Sequence, residues 1–458
     1  MVKIAIIGAG GHAFPLRLVA DILSFPALQN STLALMDINP ERLSVTARHV
    51  QKLISHHRLP TQVQVTTDQR AALRDANYVI ITFQVGGLEA YRHDVEIPRK
   101  YGIDQTVGDT LGPGGVMRFL RSAPAYKSIA QDMLELCPEA QLINYANPMA
   151  MATWYLSSLG VKAVGLCHSV QGTTHMLARE VGVPYSELVF KSAGINHQAW
   201  LLSLTHQGKD LYPQIRQVMR DRYLGRQQVG PLPTDDGNHS QLLEEGNVYE
   251  GGQEQVRTSI MEHFGYFHTE SSHHASEYLP YFRKNQDLSR SFITHRWDYY
   301  QICCEAAHDD QSGFLEELLL ELKPSIEYGA TIIHSMETGT PSVIYGNVIN
   351  TGLIENLPEG CCVEVACLVD RSGVQPTHLG KLPPQLAAVN RTSINVQELA
   401  VLAALEENLD HVYHAIALDP LSSALLTLNE LRQMTRELLE AEQAWLPEFC
   451  QLRTPATV

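Results

Sequence analysis

Several features that would mark a membrane, nucleic-acid-binding or disulfide-rich protein are scarce in this sequence. No uninterrupted apolar run approaches the roughly 20 residues of a membrane-spanning helix. There is no cluster of Lys and Arg, and the net charge of −16 disfavours nucleic acid and anionic membranes as partners. The 8 cysteines are sparse and include two adjacent pairs, which do not suit a disulfide scaffold. Reduced core cysteines are therefore expected.

The remaining composition is that of an ordinary soluble protein. Hydrophobic residues make up 44% and charged residues 18% of a 458-residue chain, which exceeds what one hydrophobic core usually supports. We therefore expect two interlocked domains. The start Met1-Val2-Lys3 leads directly into a strand pattern and leaves no room for a signal peptide, so we expect a cytoplasmic protein.

A dinucleotide-binding fingerprint follows the first strand pattern. Residues 3–7 are a short apolar run, and the next residues have the form Gly-x-Gly-x-x-Ala before a helical pattern. Gly8 permits the tight turn, Gly10 allows the backbone to approach a pyrophosphate, and Ala13 allows close helix packing. Gly11 is a further candidate contact to the cofactor. The amino terminus of the helix attracts the phosphates.

An acidic residue at the end of the second strand pattern favours NAD over NADP. Asp37 follows the apolar residues 33–36, where its carboxylate suits the ribose hydroxyls and would repel a 2′-phosphate. The alternative is an ordinary strand-to-helix turn with Asp37 as the helix cap before Pro40. A later loop, Gln84-Val85-Gly86-Gly87, is expected to flank the nicotinamide side, with Gln84 as a further cofactor contact.

A thiol and an imidazole form a candidate metal site. Cys167 follows the apolar residues 161–166, and His197 closes a second apolar segment at 188–195. A fold that sets these segments side by side would bring the two together as ligands of one divalent ion. The alternative is a small core cysteine and an unrelated histidine.

Polar residues in two further loops are candidate substrate ligands. The segment 108–118 is rich in glycine and is expected to form a loop before a helix from Met117 to about Leu136. Asp109 and Arg118 are its polar candidates, although a plain surface loop is the alternative. Asn147 follows the strand pattern at 141–145 and is placed like a substrate ligand, but Asn-Pro is also a routine turn.

The regular alternation of strands and helices ends in the second half of the chain. Residues 230–252 have few apolar groups and are predicted to form a loop. The segment 265–274 is the densest set of titratable groups, which can move protons when buried near a cation. Residues 342–345 and 361–369 are predicted to form a small sheet, and residues 396–436 are helical in pattern.

The order of these motifs resembles glycoside hydrolase family 4, the NAD- and divalent-metal-dependent glycosidases, and most closely its melibiase (α-galactosidase) branch. The resemblance covers nearly the whole chain. It rests on Gly8-Ala9-Gly10, Leu35-Met36-Asp37, Asp109-Thr110-Leu111-Gly112-Pro113-Gly114-Gly115, Asn144-Tyr145-Ala146-Asn147-Pro148-Met149, Gly165-Leu166-Cys167-His168-Ser169, Gly194-Ile195-Asn196-His197, Thr269-Glu270-Ser271-Ser272, and Tyr345-Gly346-Asn347-Val348 through Leu368-Val369-Asp370.

The resemblance implies a fold of the α/β class. A Rossmann-like parallel-sheet domain for NAD would span residues 1–190, and a mixed α+β domain at 191–458 would pack over the carboxyl edge of that sheet. The second domain would serve substrate and metal binding and oligomerisation, since relatives are homo-oligomers.

The resemblance also implies the chemistry. Cys167 and His197 would bind Mn²⁺, and Asn147 would contact an α-glycoside substrate. Asp109 and Arg118 remain candidate substrate ligands on the pattern of their loop alone. NAD would oxidise C3 of the sugar, which acidifies the C2 proton. Its removal, loss of the glycosidic oxygen from C1, addition of water and return of the hydride would give net hydrolysis.

The proton carriers follow from position within the family. In the phospho-glycosidase branch an acid follows the metal-binding cysteine, which makes His168 the proton donor here. The base of that branch is a tyrosine from the region that matches residues 265–278, where Tyr266 is the first choice and Glu270 the second. A departure from the family is Gly11-His12, because relatives more often carry Ser after the second glycine.

Several alternatives remain open from the sequence. The same mechanism could act on an α-galacturonide, α-glucuronide or α-glucoside, and a uronate would require an extra Arg or Lys. Cys167-His168-Ser169 disfavours phosphorylated sugars. A hydroxy-acid-type NAD dehydrogenase would share the first domain but accumulate NADH without a metal requirement. A non-enzymatic NAD sensor would not explain the Cys-His pair.

Overall fold

The computed structural model describes residues 1–224, 254–293, 296–307 and 312–451. The loop predicted at 230–252 lies outside these residues. Among the described residues, no helix combines the length and apolar character needed to cross a bilayer. All eight cysteines are free thiols, and six of them are buried, in agreement with the expectation of reduced core cysteines.

The described residues build one sheet of 13 strands. Its strands are β1 (Val2–Ile7), β2 (Ser31–Met36), β3 (Gln62–Thr66), β4 (Tyr78–Ile81), β5 (Gln141–Asn144), β6 (Ala163–Gly165), β7 (Leu188–Ile195), β8 (Gln198–His206), β9 (Lys209–Asp210), β10 (Phe267–His268), β11 (Ser342–Ile349), β12 (Cys362–Asp370) and β13 (Gly373–Pro376).

The helices are α1 (Phe14–Ser24), α2 (Pro40–His57), α3 (Gln69–Leu73), α4 (Gly87–Lys100), α5 (Gly112–Leu136), α6 (Met149–Ser158), α7 (Ser169–Val181), α8 (Tyr212–Met219), α9 (Gln255–Phe264), α10 (Ser272–Tyr278), α11 (Gln286–Phe292), α12 (Tyr299–Ala306), α13 (Ser312–Leu320), α14 (Tyr328–Thr338), α15 (Pro384–Glu406), α16 (Leu409–Ala417), α17 (Pro420–Leu425) and α18 (Leu428–Ala441).

Strands β1 to β6 confirm the predicted Rossmann-like sheet. They are parallel, and their order in space is β3-β2-β1-β4-β5-β6. Helices cover both faces, so the central strands β1 and β4 are almost continuous apolar runs buried on both sides. The chain reverses its strand order between β1 and β4, the point at which such folds bind dinucleotides.

The strands of the second half extend this sheet. We predicted a small sheet from residues 342–345 and 361–369, and β11 and β12 do pair with each other, but β11 also pairs with β6 and β12 with β7. The hairpin covers the otherwise open edge of β6, which explains why these strands do not stand apart. Each of the two junctions is a single residue pair, Asn347 with Gly165 and Glu364 with Gly194, so the strands diverge on either side of it.

Candidate active site

The glycine turn after β1 brings the backbone close to two neighbouring elements. A Cβ atom at Gly8, whose φ is +96°, would lie 2.7 Å from the backbone nitrogen of Phe83. A Cβ atom at Gly10 would lie 2.8 Å from the carboxyl group of Asp37. The Gly11 N–H donates to the Gly8 carbonyl at 3.0 Å. Only glycine fits at Gly8, where the close atoms include backbone and φ is positive, whereas a side chain at Gly10 would displace the Asp37 carboxylate. The turn keeps the close backbone approach that a pyrophosphate requires.

The carboxylate of Asp37 belongs to this turn. Its Oδ2 accepts the Gly10 N–H at 2.9 Å. The cap of α2 is Asn39, whose side chain accepts the N–H groups of Glu41 and Arg42 at 3.1 and 3.0 Å. The alternative in which Asp37 caps this helix is therefore wrong. Asp37 is half-buried beside the turn, where the ribose of a dinucleotide is bound in this fold.

A buried thiol, an imidazole and a carboxylate converge in the second part of the site. Ligand atoms of Cys167, His197 and Glu270 all lie within 4.8 Å of one another. Cys167 follows β6 and Glu270 follows β10. His197 lies in the two-residue turn between β7 and β8, with a φ of +61° that is uncommon outside glycine. The sequence paired Cys167 with His197 on the expectation that their strands lie side by side. The structure instead places β11 and β12 between β6 and β7, yet the two side chains meet, and Glu270 is a third member of the cluster.

The donor set fits a divalent metal ion. Oε2 of Glu270 is buried, lies 3.4 Å from Nε2 of His197, and has no hydrogen-bond partner. Burial lowers the pKa of His197 to about 4, which leaves a neutral imidazole. Burial opposes ionisation of Glu270, but His197 and His274 outweigh it and lower its pKa. Burial raises the pKa of the Cys167 thiol, so the thiolate that binds a metal is unfavourable to form on its own. A bound cation would offset this cost of ionisation.

The second nitrogen of His197 connects the cluster to Tyr278. Nδ1 lies 2.9 Å from the Tyr278 hydroxyl and 3.3 Å from Oγ1 of Thr110, and these two hydroxyls hydrogen-bond each other. Sequence reasoning did not select Tyr278. The available signal was helical spacing, because Tyr278 is four residues after His274, which lies 3.3 Å from Glu270.

The structure does not bring Tyr266 to this cluster. Its ring is half-buried and packs edge-on against Tyr212, with 6.1 Å between centroids, beside the apolar cluster around Trp200. Tyr266 precedes β10, whereas Glu270 and Tyr278 follow it. Within the predicted segment 265–278, the tyrosine whose hydroxyl reaches His197 is Tyr278.

The candidate substrate ligands form a neighbouring cluster. Asn147 Nδ2 donates to Oδ2 of Asp109 at 3.0 Å, and Nη1 of Arg118 lies 3.7 Å from the same oxygen. Nη2 of Arg118 donates to Gln84 at 2.9 Å, so the residue predicted to contact the cofactor joins this cluster. Oδ1 of Asp109 and Nη1 of Arg118 are buried without hydrogen-bond partners. One acceptor and one donor therefore remain for a ligand.

The glycines of this loop lie in a helix. We predicted that the helix begins at Met117, but α5 begins at Gly112. A Cβ atom at Gly114 would lie 2.5 Å from the carbonyl oxygen of Gly108, and one at Gly115 would lie 2.7 Å from the carbonyl carbon of Thr110. The glycines let the preceding loop cross the first turn of α5, which places Asp109 beside Arg118.

His168 occupies the rim of the metal cluster. The ring is half-buried, and its Nδ1 lies 3.1 Å from Oε1 of Glu327, the residue before α14. Burial would lower the pKa of His168, but the carboxylate of Glu327 outweighs it and raises that pKa. Glu327 is 159 positions away in the chain and was not recognised from the sequence.

The fold and the site define a Rossmann-type α/β protein with a dinucleotide turn and a buried thiol–imidazole–carboxylate cluster. Residues 3–183 match the family described as "Family 4 glycosyl hydrolase", and residues 192–422 match "Family 4 glycosyl hydrolase C-terminal domain". The chain belongs to glycosyl hydrolase family 4. Membership of this family argues against the dehydrogenase and NAD-sensor alternatives.

Individual relatives agree with this assignment. The chain is 38% identical to an alpha-galactosidase of Bacillus subtilis over 98% of its own length and 100% of that protein. It is 36% identical to an alpha-galactosidase of Rhizobium meliloti, over 98% and 89% of the two chains. A 6-phospho-alpha-glucosidase from gut microorganisms, solved in complex with NAD and Mn²⁺, has the same fold, with a TM-score of 0.78, 20% identity and coverage of 98% and 99%.

Proposed function

We propose that the protein hydrolyses terminal α-galactosides with NAD and Mn²⁺ as cofactors. The observation that carries this proposal is the position of Thr110. It touches His197 and Tyr278 of the metal cluster and directly follows Asp109 of the substrate cluster, so the two clusters share one loop. The alpha-galactosidases among the relatives support the choice of sugar.

The cofactors would be held by the two parts of the site described above. Gly8, Gly10 and Gly11 would receive the NAD pyrophosphate, and Asp37 the ribose. Glu270 would bind Mn²⁺ with Cys167 and His197, a role that replaces the proton-transfer role first considered for it. When bound, NAD supplies a reversible hydride acceptor for C3, and Mn²⁺ supplies a Lewis acid for the oxygen there.

The chain's own residues would move the protons. Tyr278 is the candidate base for the C2 proton, because its hydroxyl lies between Thr110 and His197 at the junction of the two clusters. His168 is the candidate donor to the departing glycosidic oxygen, because its ring lies at the rim next to Cys167 and is oriented by Glu327.

The charge balance of the substrate cluster favours a neutral sugar. The guanidinium of Arg118 is offset by the carboxylate of Asp109. Two further buried arginines also have acidic partners. Arg121, three residues after Arg118, pairs with Asp94, and Arg283, which donates to Thr106 of the loop before Asp109, faces Glu277. A uronate would require an uncompensated cation, so we propose that an α-galactoside is preferred over an α-galacturonide or α-glucuronide.

We also propose a cytoplasmic homo-oligomer. The eight free thiols suit a reducing compartment. Val343 and Leu368 are 62% and 37% exposed and lie directly opposite each other on β11 and β12, and Val189 on β7 is 65% exposed. Exposed apolar side chains on neighbouring strands suit a contact with another subunit.

A panel of nitrophenyl α- and β-glycosides tests the proposal, assayed with NAD, Mn²⁺ and a reductant. The expected result is hydrolysis of the α-galactoside, lost on chelation or removal of NAD and restored when both are returned. Activity that persists in chelated, NAD-free protein would rule out the mechanism. Cleavage of an α-glucoside or an α-uronide, without cleavage of the α-galactoside, would rule out galactose as the substrate sugar.

A further inference from the structure

A buried carboxylate next to Tyr278 holds the loop that joins the two clusters. Glu277 lies in α10 and is 3% exposed. Its Oε1 accepts the backbone N–H groups of Thr106 and Val107 at 2.6 and 2.8 Å, and its Oε2 accepts that of Gly108 at 3.0 Å. Three consecutive N–H groups around one anion form a nest, and Gly108 has a φ of +61°, in the left-handed region common in such nests.

The carbonyl groups of the same loop are also held. The Thr106 carbonyl accepts the Tyr299 N–H at 2.8 Å, and the Val107 carbonyl accepts the Tyr91 hydroxyl at 2.6 Å. Arg283 donates to the hydroxyl of Thr106 at 3.1 Å. These partners come from separate helices and loops, whereas Glu277 alone takes all three N–H groups.

The anchored loop determines where the site residues lie. Asp109 and Thr110 immediately follow Gly108, and Tyr278 immediately follows Glu277. Glu277 and Tyr278 therefore hold the loop at two points. The Glu277 carboxylate accepts the N–H groups of residues 106–108, and the Tyr278 hydroxyl hydrogen-bonds Thr110. A shift of the loop would move Asp109 away from Asn147 and Thr110 away from His197 together.

We propose that Glu277 is a positioning residue for the reaction, acting through Asp109 and Thr110. The expected effect on kinetics rests on the proposed function, whereas the anchoring of the loop by Glu277 does not depend on any substrate. The carboxylate of Glu277 also accepts the Thr106 hydroxyl at 3.0 Å and the Gln105 side-chain amide at 3.4 Å, and it lies 3.9 Å from Arg283. None of these groups belongs to the metal cluster or the substrate cluster. Its role is to fix the distance between the groups that bind the sugar and the group that takes its proton.

The Glu277→Gln variant tests this role. Glutamine has nearly the same shape, but its NH₂ group cannot accept a hydrogen bond, so at least one N–H of residues 106–108 loses its partner. The expected result is a fall of about 100-fold in kcat/KM, with both a higher KM and a lower kcat, because a displacement near 1 Å costs about that much. The Kd for NAD is expected to stay within about twofold, since the dinucleotide turn is on β1.

Asp68→Asn is the matched control. Asp68 also accepts two backbone N–H groups, from Arg70 and Ala71 at 2.9 and 3.3 Å, at the start of α3 and outside both clusters. The same carboxylate-to-amide change there is expected to leave kcat and KM unchanged. Wild-type kcat/KM in a folded Glu277→Gln protein would overturn the proposal.

Hydrogen exchange of residues 104–111 gives a second measurement that does not depend on the substrate. The expected result is protected amides at 106–108 in the wild type and faster exchange in Glu277→Gln. If Glu277→Gln does not fold, the same measurements are made on Glu277→Asp, in which the carboxylate is withdrawn from the loop by one methylene. Faster exchange with unchanged kcat/KM in that variant would overturn the proposal. Absence of wild-type glycosidase activity would instead refute the proposed function and leave the exchange result standing.

Discussion

The hydroxyl of Tyr278 lies 2.9 Å from Nδ1 of His197, while Nε2 of the same ring faces Glu270. With Nε2 turned to the candidate metal site, the proton of a neutral imidazole resides on Nδ1, which then donates to the phenolic oxygen. Partners of this kind orient metal-binding histidines and fix their tautomer. Here the orienting partner is also the group best placed to take a proton from the substrate.

Replacing Tyr278 with Phe is expected to lower kcat by about 10²- to 10⁴-fold, the range for loss of a general base. Folding should persist, because the ring and its packing remain. Tyr266→Phe is the matched control and should keep wild-type kcat, since that ring packs against Tyr212 outside the cluster. The reverse pattern, with Tyr266→Phe inactive and Tyr278→Phe active, would refute the assignment.

A substrate deuterated at C2 gives a separate test of proton removal. The wild-type enzyme is expected to release product that carries a solvent proton at C2, because the abstracted deuteron exchanges before water adds. Mass spectrometry of the released sugar measures this exchange. Full retention of deuterium would rule out elimination across C1 and C2, whatever the identity of the base.

Changing Cys167 to Ser is expected to weaken Mn²⁺ binding strongly, because it removes a candidate metal ligand. The loss of affinity should exceed the about 10- to 100-fold that is typical when a group that only orients a metal ligand is removed. NAD binding should be unchanged, because Gly8, Gly10 and Asp37 lie in the turns that follow β1 and β2. Titration calorimetry with each ligand separates the two effects. An equal loss of both affinities would show that Cys167 has a general structural role.

The carboxylate of Asp37 is expected to set the preference for NAD. Asp37→Ala removes a charged acceptor from the dinucleotide turn, so the Kd for NAD should rise by about 10-fold or more. The Kd for NADP should change less or fall, because the repulsion of its phosphate is removed. Glu41→Gln, an exposed change nearby on α2, is the control. An unchanged ratio of the two Kd values would contradict the role.

The buried pair of carboxylates around Arg121 predicts a pH-dependent stability. Arg121 binds Asp94 through two bonds of 2.8 and 2.6 Å and Glu442 through one of 2.9 Å. Burial and the charge of Asp94 raise the pKa of Glu442. The unfolded chain therefore loses this proton first as pH rises, so stability falls with increasing pH from the ordinary glutamate pKa up to the folded-state pKa.

Two variants measure this effect. Glu442→Gln is expected to reduce that slope and to destabilise far less than Asp94→Asn, which should cost about 3–5 kcal/mol by leaving Arg121 poorly compensated. Denaturant unfolding between about pH 5 and 8 provides the free energies. A Glu442→Gln protein with the wild-type slope would show that this carboxyl is ionised in the folded state.

The local pattern of the sequence was sufficient for the dinucleotide turn and for two of the three candidate metal ligands. Gly8 and Gly10 follow an apolar strand, and Cys167 and His197 each follow one, so strand periodicity located all four. The glycine content of residues 108–115 misplaced the start of α5, because these glycines accommodate the loop that crosses the first turn of the helix and do not mark a loop of their own.

By itself, the sequence determined the parallel sheet, the cofactor turn and the family, because these depend on short runs whose apolar spacing and glycines are visible along the chain. Only the tertiary structure decided that Glu270 joins Cys167 and His197, that Tyr278 and not Tyr266 reaches His197, and that Glu277 holds the loop before Asp109. These contacts join segments far apart, such as Thr110 and Tyr278 at a separation of 168 residues. The insertion of β11 and β12 between β6 and β7 is likewise a tertiary feature that no local periodicity records.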